Sequence, residues 1–431
     1  MKFKAVGAGL GLVVGVLLST GGAVAQESGV GEARDAAKKS PASADAALAY
    51  GRALRRAGRD NDALTELRRA EGLTGGKADV AAHVEWEIAR THIAKRDFQA
   101  ALATCRGFEK LHKPASRVCA AEAHLLWRRG TEATAELAEV KDTSGLEGDV
   151  GYFAKIAEGR IRELEAKDAD AETDFRAAVA LAPKRPDAHM RLGVALGREG
   201  KDGTSELKRA VELDAHDPVA QYELGRALAA GTAASLTALE HAVAERPTYT
   251  DALRALAEGY VAAKRLPDAK KTAEAILKIA PNDVFSHVVA GRVSLAEGKT
   301  DDALKEGETA SNLMPNAAAA KLLVADAQAK KGEIDLAIEA YQIAFGLDRT
   351  SPTALVNAAE ACVAANRPTS AKAFARRATQ DFPNHGPAWI ALGDALAADK
   401  DSKGARSAYE SAKKSKDVDA AMIDKKIGSL P

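Results

Sequence analysis

Aromatic residues make up only 4% of these 431 residues, so no core here can be assembled mainly from rings. Apolar residues as a group still reach 46%, and Ala, Leu and Val carry that share, a composition suited to helices in close contact. Charge of one sign is also missing. The 61 basic residues are matched by 61 acidic ones, which removes the basic bias of a nucleic-acid binder. Three cysteines are too few for a disulfide framework.

Catalytic motifs are absent as well. There is no G-x-S-x-G elbow and no H-E-x-x-H pair. The nine histidines are scattered, and His83 and His92 do not share a helix face well enough to ligate one metal. Gly298-Lys299-Thr300 looks like the end of a phosphate-binding loop, but that motif needs glycine at position 293 and finds Val293. No enzyme activity, cofactor or metal is expected.

What the chain does have is a 34-residue period. Ala269, Ala303, Ala337, Ala371 and Ala405 keep that step. Ile276, Ala310, Ala344, Ala378 and Ala412 keep it seven residues later, and Pro281, Pro315, Arg349, Pro383 and Asp417 twelve later. Such a period marks a solenoid of helix pairs. In the unit 386–417, Gly393 and Ala405 let two helices approach, while Trp389, Leu392 and Tyr409 fill the space beside the crossing. Prolines from Pro183 to Pro387 fall between units or near the turn inside one, where they cost no helical hydrogen bond.

These residues resemble the tetratricopeptide repeat, whose signature is Trp-x2-Leu-Gly-x2-Tyr followed by Ala, an aromatic, Ala and Pro. The resemblance implies an all-α, right-handed superhelical solenoid. About eleven units run from residue 44 to 417. Residues 44–185 hold degenerate units, 186–249 two shortened ones, and 250–417 five regular ones. The shortened units lose two residues on the way into their second helix. Residues 418–431, with Val418, Met422 and Ile427, read as a helix that caps the last repeat.

The N-terminus reads as a signal peptide over residues 1–25. Lys2 and Lys4 precede an apolar run from Ala5 to Leu18, and Ala23-Val24-Ala25 supplies the small residues of a cleavage site. An uncleaved membrane anchor is the alternative. Residues 26–43 read as a flexible leader. Export to the periplasm or beyond is expected, with no membrane span after cleavage. In that setting Cys105 and Cys119, on adjacent helices of neighbouring units, either form a disulfide or remain two buried thiols. Cys362 reads as core.

The resemblance also implies a concave groove lined by the first helix of each unit. Its candidate residues are Arg52, Arg90, His124, Arg160, Arg226 and Arg292, then Asp326, Glu360 and Asp394, with Tyr222 beside Arg226. The order runs from basic to acidic, a polarity that would set a partner's orientation. No asparagine stands among these positions, so the lysine–asparagine clamp by which some family members grip carboxylate tails is not expected. Trp86 and Trp127 fall on groove positions next to Arg90 and His124, unless the register is one residue off and both are core. Trp389 stands at the core aromatic position. The expected function is a non-catalytic scaffold that binds envelope proteins through this groove. The alternative is a module that holds an extended peptide or a polysaccharide.

Overall fold

The computed structural model describes residues 21–75, 78–110, 112–140, 143, 148–415 and 417–431. The apolar run Ala5–Leu18 lies outside them. Among the described residues there are twenty-four helices and no strand, and no helix is long and apolar enough to cross a membrane. The chain divides into two compact units, one ending at Ala252 and the other spanning Leu253–Pro431.

A leading helix α1 (Gly21–Lys39) precedes the repeats. The next pairs are α2 (Ala44–Arg56) with α3 (Asp60–Gly72), α4 (Ala78–Ala94) with α5 (Phe98–Gly107), and α6 (Lys113–Leu126) with α7 (Gly130–Ala138). Then come α8 (Gly148–Leu164) with α9 (Asp168–Leu181), α10 (Pro186–Arg198) with α11 (Thr204–Leu213), and α12 (Pro218–Ala227) with α13 (Ala233–Glu245). The boundary between units falls inside α14 (Thr250–Ala262), which pairs with α15 (Leu266–Ile279). The second unit continues with α16 (Val284–Ala296) and α17 (Thr300–Leu313), then α18 (Ala318–Lys331) and α19 (Ile334–Leu347). It ends with α20 (Thr353–Ala364) and α21 (Pro368–Asp381), α22 (Gly386–Ala398) and α23 (Ser402–Ala412), and a final α24 (Ala420–Gly428). Eleven pairs result, an all-α solenoid.

The local chemistry explains these boundaries. Ser43, Asp97, Asp217, Asp283 and Asp401 cap helix starts by accepting from backbone N–H groups one turn ahead. Proline stands in the first turn of α10, α12, α15, α21 and α22, where its missing N–H is not needed. In the regular pairs the turn between helices places one residue in the left-handed region, at Lys264, Gly298, Gly332, Asn366 and Lys400. These also keep the 34-residue step. Gly298 of the phosphate-loop look-alike is therefore a turn residue with φ +78°, and Lys299 pairs with Glu297 at 2.9 Å.

Close approach of helices within a pair depends on small residues. The alanines at 269, 303, 337, 371 and 405 are fully buried. A Cβ on Gly51 would meet Leu67 at 2.7 Å, and one on Gly159 would meet the Phe175 ring at 2.5 Å, so each glycine is a socket for its partner helix. In the shortened pair, α11 starts late, and a Cβ on Gly203 would overlap the Gly193 carbonyl. One repeat on, Ser235 takes the place of Gly203 and its hydroxyl donates to the Gly225 carbonyl at 2.7 Å. The two-residue deletion thus draws backbone onto backbone.

Three expectations change. Residues 26–39 are helical rather than a flexible leader, because Val30 and Ala37 are buried where α1 packs against α2 and α13. In the capping helix it is Ile423 that is buried, with Val418 and Ile427 partly covered, whereas Met422 is exposed. Trp389 is only half-buried: its indole N–H donates to the Pro383 carbonyl at 2.8 Å. Cys362 is buried as expected of a core residue.

Candidate partner-binding faces

In the first unit the first helices of successive pairs turn their polar faces toward one another. Glu87 on α4 is only 3% exposed, and three guanidiniums converge on it. Arg52 Nε lies 3.0 Å from Oε1, Arg55 Nη2 3.5 Å from Oε2 and Arg90 Nη1 3.6 Å from Oε1. Burial pushes the Glu87 carboxyl up, but Arg90, Arg55 and Arg52 outweigh it and hold the pKa at about 2. Arg90 also reaches Glu122 at 3.2 Å and Asp187 at 3.6 Å, and Arg56 pairs with Asp214 at 2.9 Å. The last two pairs join the first two repeats to the fifth. The unit closes on itself.

Aromatic rings pack under this charge. Trp86 is 4% exposed, donates its indole N–H to Glu122 Oε2 at 2.7 Å, and lies 4.3 Å from the Phe153 ring on α8. Arg185 spans Tyr152 and Phe153 at 4.8 and 4.9 Å. A cavity of about 320 Å³ remains beside them, lined by Arg55, Arg56, Arg90, Lys184, Asp187 and Asp214 among others.

The other candidates of this unit are dispersed. His124 is buried between α6 and α7, with Nε2 3.9 Å from Glu136, and burial lowers its pKa. Trp127 ends α6 half-buried, stacked on Phe98 at 5.4 Å with Arg129 over its face at 3.5 Å. Arg160 forms no ion pair among the described residues; burial and then Arg191 draw its pKa down to about 10. Tyr222 lies 5.1 Å from Tyr249, with Arg226 over its ring at 5.4 Å and paired to Glu223 at 3.3 Å. Cys105 on α5 and Cys119 on α6 are joined by a disulfide with an S–S distance of 2.09 Å.

A second carboxylate of α4 behaves in the opposite way to Glu87. Burial, a hydrogen bond to Glu71 and the like charge of Glu71 raise the Glu85 pKa to about 7. A carboxyl whose folded pKa lies above its unfolded value of 4.5 loses stability as pH rises through that window. Glu71→Gln removes the like charge and leaves an amide donor. The variant is expected to flatten the fall in melting temperature between pH 4.5 and about 7 and to melt higher than the wild type at about pH 8. Parallel curves for the two proteins would refute this.

The second unit presents a different face. Along its first helices the 34-residue step carries Glu258, Arg292, Asp326, Glu360 and Asp394. Arg292 pairs with Glu258 at 2.6 Å. Asp394 accepts from Tyr409 at 2.6 Å and from Lys426 of α24, whose Nζ lies 2.7 and 2.9 Å from its two oxygens. Between these satisfied ends, neither Asp326 nor Glu360 forms an ion pair among the described residues. Asp326 Oδ1 accepts from the Tyr341 hydroxyl at 2.7 Å and Asn357 Nδ2 at 3.0 Å. Burial raises the Asp326 pKa, opposed by those two hydrogen bonds. Burial also raises that of Glu360, and Asp394 and Asp326 add to the rise. Both residues line an open pocket of about 780 Å³ that also touches Leu295, Ala361 and Ala364.

Sequence reasoning had singled out Arg52 and Arg90 but not Glu87, Asp187 or Asp214, which bind them. No periodic signal marks those carboxylates, since their contacts exist only once the first unit closes. Tyr341 was missed as well, and Tyr409 was read only as a core residue, although a periodic signal exists for both: each stands 15 residues after its aspartate, and they are two repeats apart.

Models of the tetratricopeptide repeat match residues 28–78, 169–218, 232–287, 286–352 and 356–420, more than half of the chain. No curated protein matches. Among solved structures, the crystal structure of yeast Tom70 is similar at 12% identity and a TM-score of 0.50, over 90% of this chain and 95% of that one. A tetratricopeptide repeat protein from Parabacteroides merdae is 13% identical with a TM-score of 0.43, over 64% of this chain and 97% of its own. A thermophilic one from Thermus thermophilus is 21% identical with a TM-score of 0.37, over 49% and 99%. Proteins of this kind bind protein partners and are generally non-catalytic. With its repeat period, its eleven helix pairs and these matches, the chain belongs to the tetratricopeptide repeat family.

Proposed function

We propose that this chain is a non-catalytic scaffold of the cell envelope whose protein partner docks on the first-helix face of the second unit. One observation carries the choice of face. In the first unit Arg52, Trp86 and Arg90 are engaged with Glu87, Glu122 and Asp187, whereas Asp326 and Glu360 line an open pocket and form no ion pair among the described residues, although Lys330 and Lys331 line it too. Carboxylates without an ion-pair partner beside a pocket favour a complementary surface, because complementary charge steers a partner and sets its register.

The envelope setting rests on Lys2, Lys4, the run Ala5–Leu18 and Ala23-Val24-Ala25. Cleavage after Ala25 is compatible with the packing of α1, whose described buried residues begin at Val30. The Cys105–Cys119 bridge supports the same setting, because disulfides persist in oxidising compartments.

A second reading, an extended peptide or a polysaccharide as ligand, is favoured by the half-buried Tyr222–Tyr249 pair with Arg226 and Arg246 over its rings. Such a platform suits sugar or peptide stacking. The test is in-cell photocrosslinking from Ala364, in the second-unit pocket, and from Arg226. Discrete protein adducts from Ala364 support the scaffold. No adduct there, with a smear or carbohydrate adducts from Arg226, favours the second reading.

A further inference from the structure

The last repeat shows what its acceptor takes. Lys426 brings its ammonium against both oxygens of Asp394, 5.8 Å from the centre of the Tyr409 ring, while the Tyr409 hydroxyl donates to the same carboxylate. Two repeats earlier, Asp326 and Tyr341 repeat that acceptor with the same 15-residue spacing and a hydroxyl–carboxylate bond of 2.7 Å. There, Oδ1 receives both Tyr341 and Asn357, and Oδ2 accepts from none of the described residues. Glu360 stands one repeat on from Asp326, again without a cation at ion-pair distance among the described residues. The upstream step of the same ladder is closed by Arg292 on Glu258. A row of five charged positions thus has its two ends neutralised by side chains of this chain and its middle left open.

We infer that the pocket formed by Asp326, Tyr341, Asn357 and Glu360 is a receptor for a lysine side chain of the partner protein, which occupies it as Lys426 occupies Asp394. The chemistry follows from the acceptor. A primary ammonium is compact, carries three donors and can bridge carboxylates that are not coplanar, as Asp326 and Glu360 on successive first helices need not be. A tyrosine beneath the carboxylate fixes its rotamer and offers its ring face to the cation. Lys330 and Lys331 lie at the rim near the α18–α19 turn, and Lys331 is itself tied to Asp301 and Glu333 at 3.1 and 3.4 Å. Lys331 is thus partly neutralised, while Lys330 forms no ion pair among the described residues and adds a like charge at the rim, so the partner's lysine has to reach past it to the carboxylates.

This inference rests on the proposed docking face, and the two can fail separately. The probe is fluorescein-labelled hexalysine, with hexaglutamate as comparison, titrated against the full chain by anisotropy at low salt. Hexalysine is expected to bind and hexaglutamate not to. Glu360→Gln is expected to weaken hexalysine about fivefold, the effect of one partly exposed ion pair. Glu308→Gln removes the same charge from an exposed position of α17 and should leave the affinity unchanged. Lys426→Ala vacates Asp394 and is expected to tighten binding about threefold, provided the melting temperature shows the repeats intact. No hexalysine binding, equal losses in the Glu360 and Glu308 variants, or no gain in the Lys426 variant would each overturn it. Protein adducts from Ala364 that persist alongside any of those results would leave the docking face standing and remove only its lysine.

Discussion

Glu87→Gln is expected to cost the first unit about 3–5 kcal/mol, the cost of breaking a buried ion cluster from one side. The glutamine keeps the shape and removes the charge on which Arg52, Arg55 and Arg90 converge. Three guanidiniums would then face one another around a neutral amide in a buried place, and breaking a buried pair from one side costs more than the pair contributes. The lowered carboxyl pKa, which has the same three arginines as its cause, points to the same order. A pKa held at about 2 against an ordinary 4.5 corresponds to roughly 3 kcal/mol of stabilisation.

The sign of that dependence provides the measurement. The folded pKa lies below the unfolded one, so the contribution is complete above pH 4.5 and is lost as pH falls toward about 2. The gap in melting temperature between wild type and Glu87→Gln should therefore be widest near neutral pH and shrink steadily through that acid window. A gap that stays constant with pH would mean that shape, not charge, was lost. A gap near zero at neutral pH would mean that the three arginines find other partners and that the closure of the first unit does not depend on Glu87.

Why this centre escaped the sequence is instructive. The period gave about eleven helix pairs and sockets such as Gly393, because those features depend on neighbours within a repeat or one repeat away. It also found the acidic ladder Asp326, Glu360, Asp394. Closure of the first unit depends instead on contacts such as Arg56–Asp214, between residues more than four repeats apart. No pattern with a 34-residue period encodes those. The same limit explains Trp86. The register put Trp86 on the inner face, where it does point toward α8, but only closure turns that face into an interior. It put Trp389 at the aromatic core position, yet its indole N–H reaches out to the Pro383 carbonyl and the ring is only half-buried, as are His287 and Lys321 at the same position of earlier repeats. Residues 26–39 were misjudged for a related reason: Val30 and Ala37 are weak apolar signals until α13 covers them.

The second large effect concerns the bridge at the α5–α6 junction. Removing it with Cys105→Ser and Cys119→Ser together is expected to cost the first unit roughly 3 kcal/mol, the chain-entropy value for closing a loop of 14 residues. The site is one where packing alone is thin. α5 has 10 residues and α7 has 9, against 14 in most second helices of the other unit, so each buries fewer turns against its neighbours. Both cysteines belong to the apolar cluster that runs from Ala82 to Leu196, and a bridge there holds a short helix in place that burial holds only in part. The second unit contains only Cys362, buried and unbridged, and offers an internal control. Reductant should lower the melting of the first unit to that of the double variant and leave the second unit unmoved. Unfolded without reductant, the protein should expose one thiol, and three after reduction. Three thiols without reductant would dismiss the bridge. A bridge that forms but contributes nothing would show that the apolar cluster holds α5 and α6 unaided. If the full effect is seen, the first unit is built for an oxidising compartment and the second is indifferent to it, so a chain retained in a reducing one would soften first at the end that closes on itself.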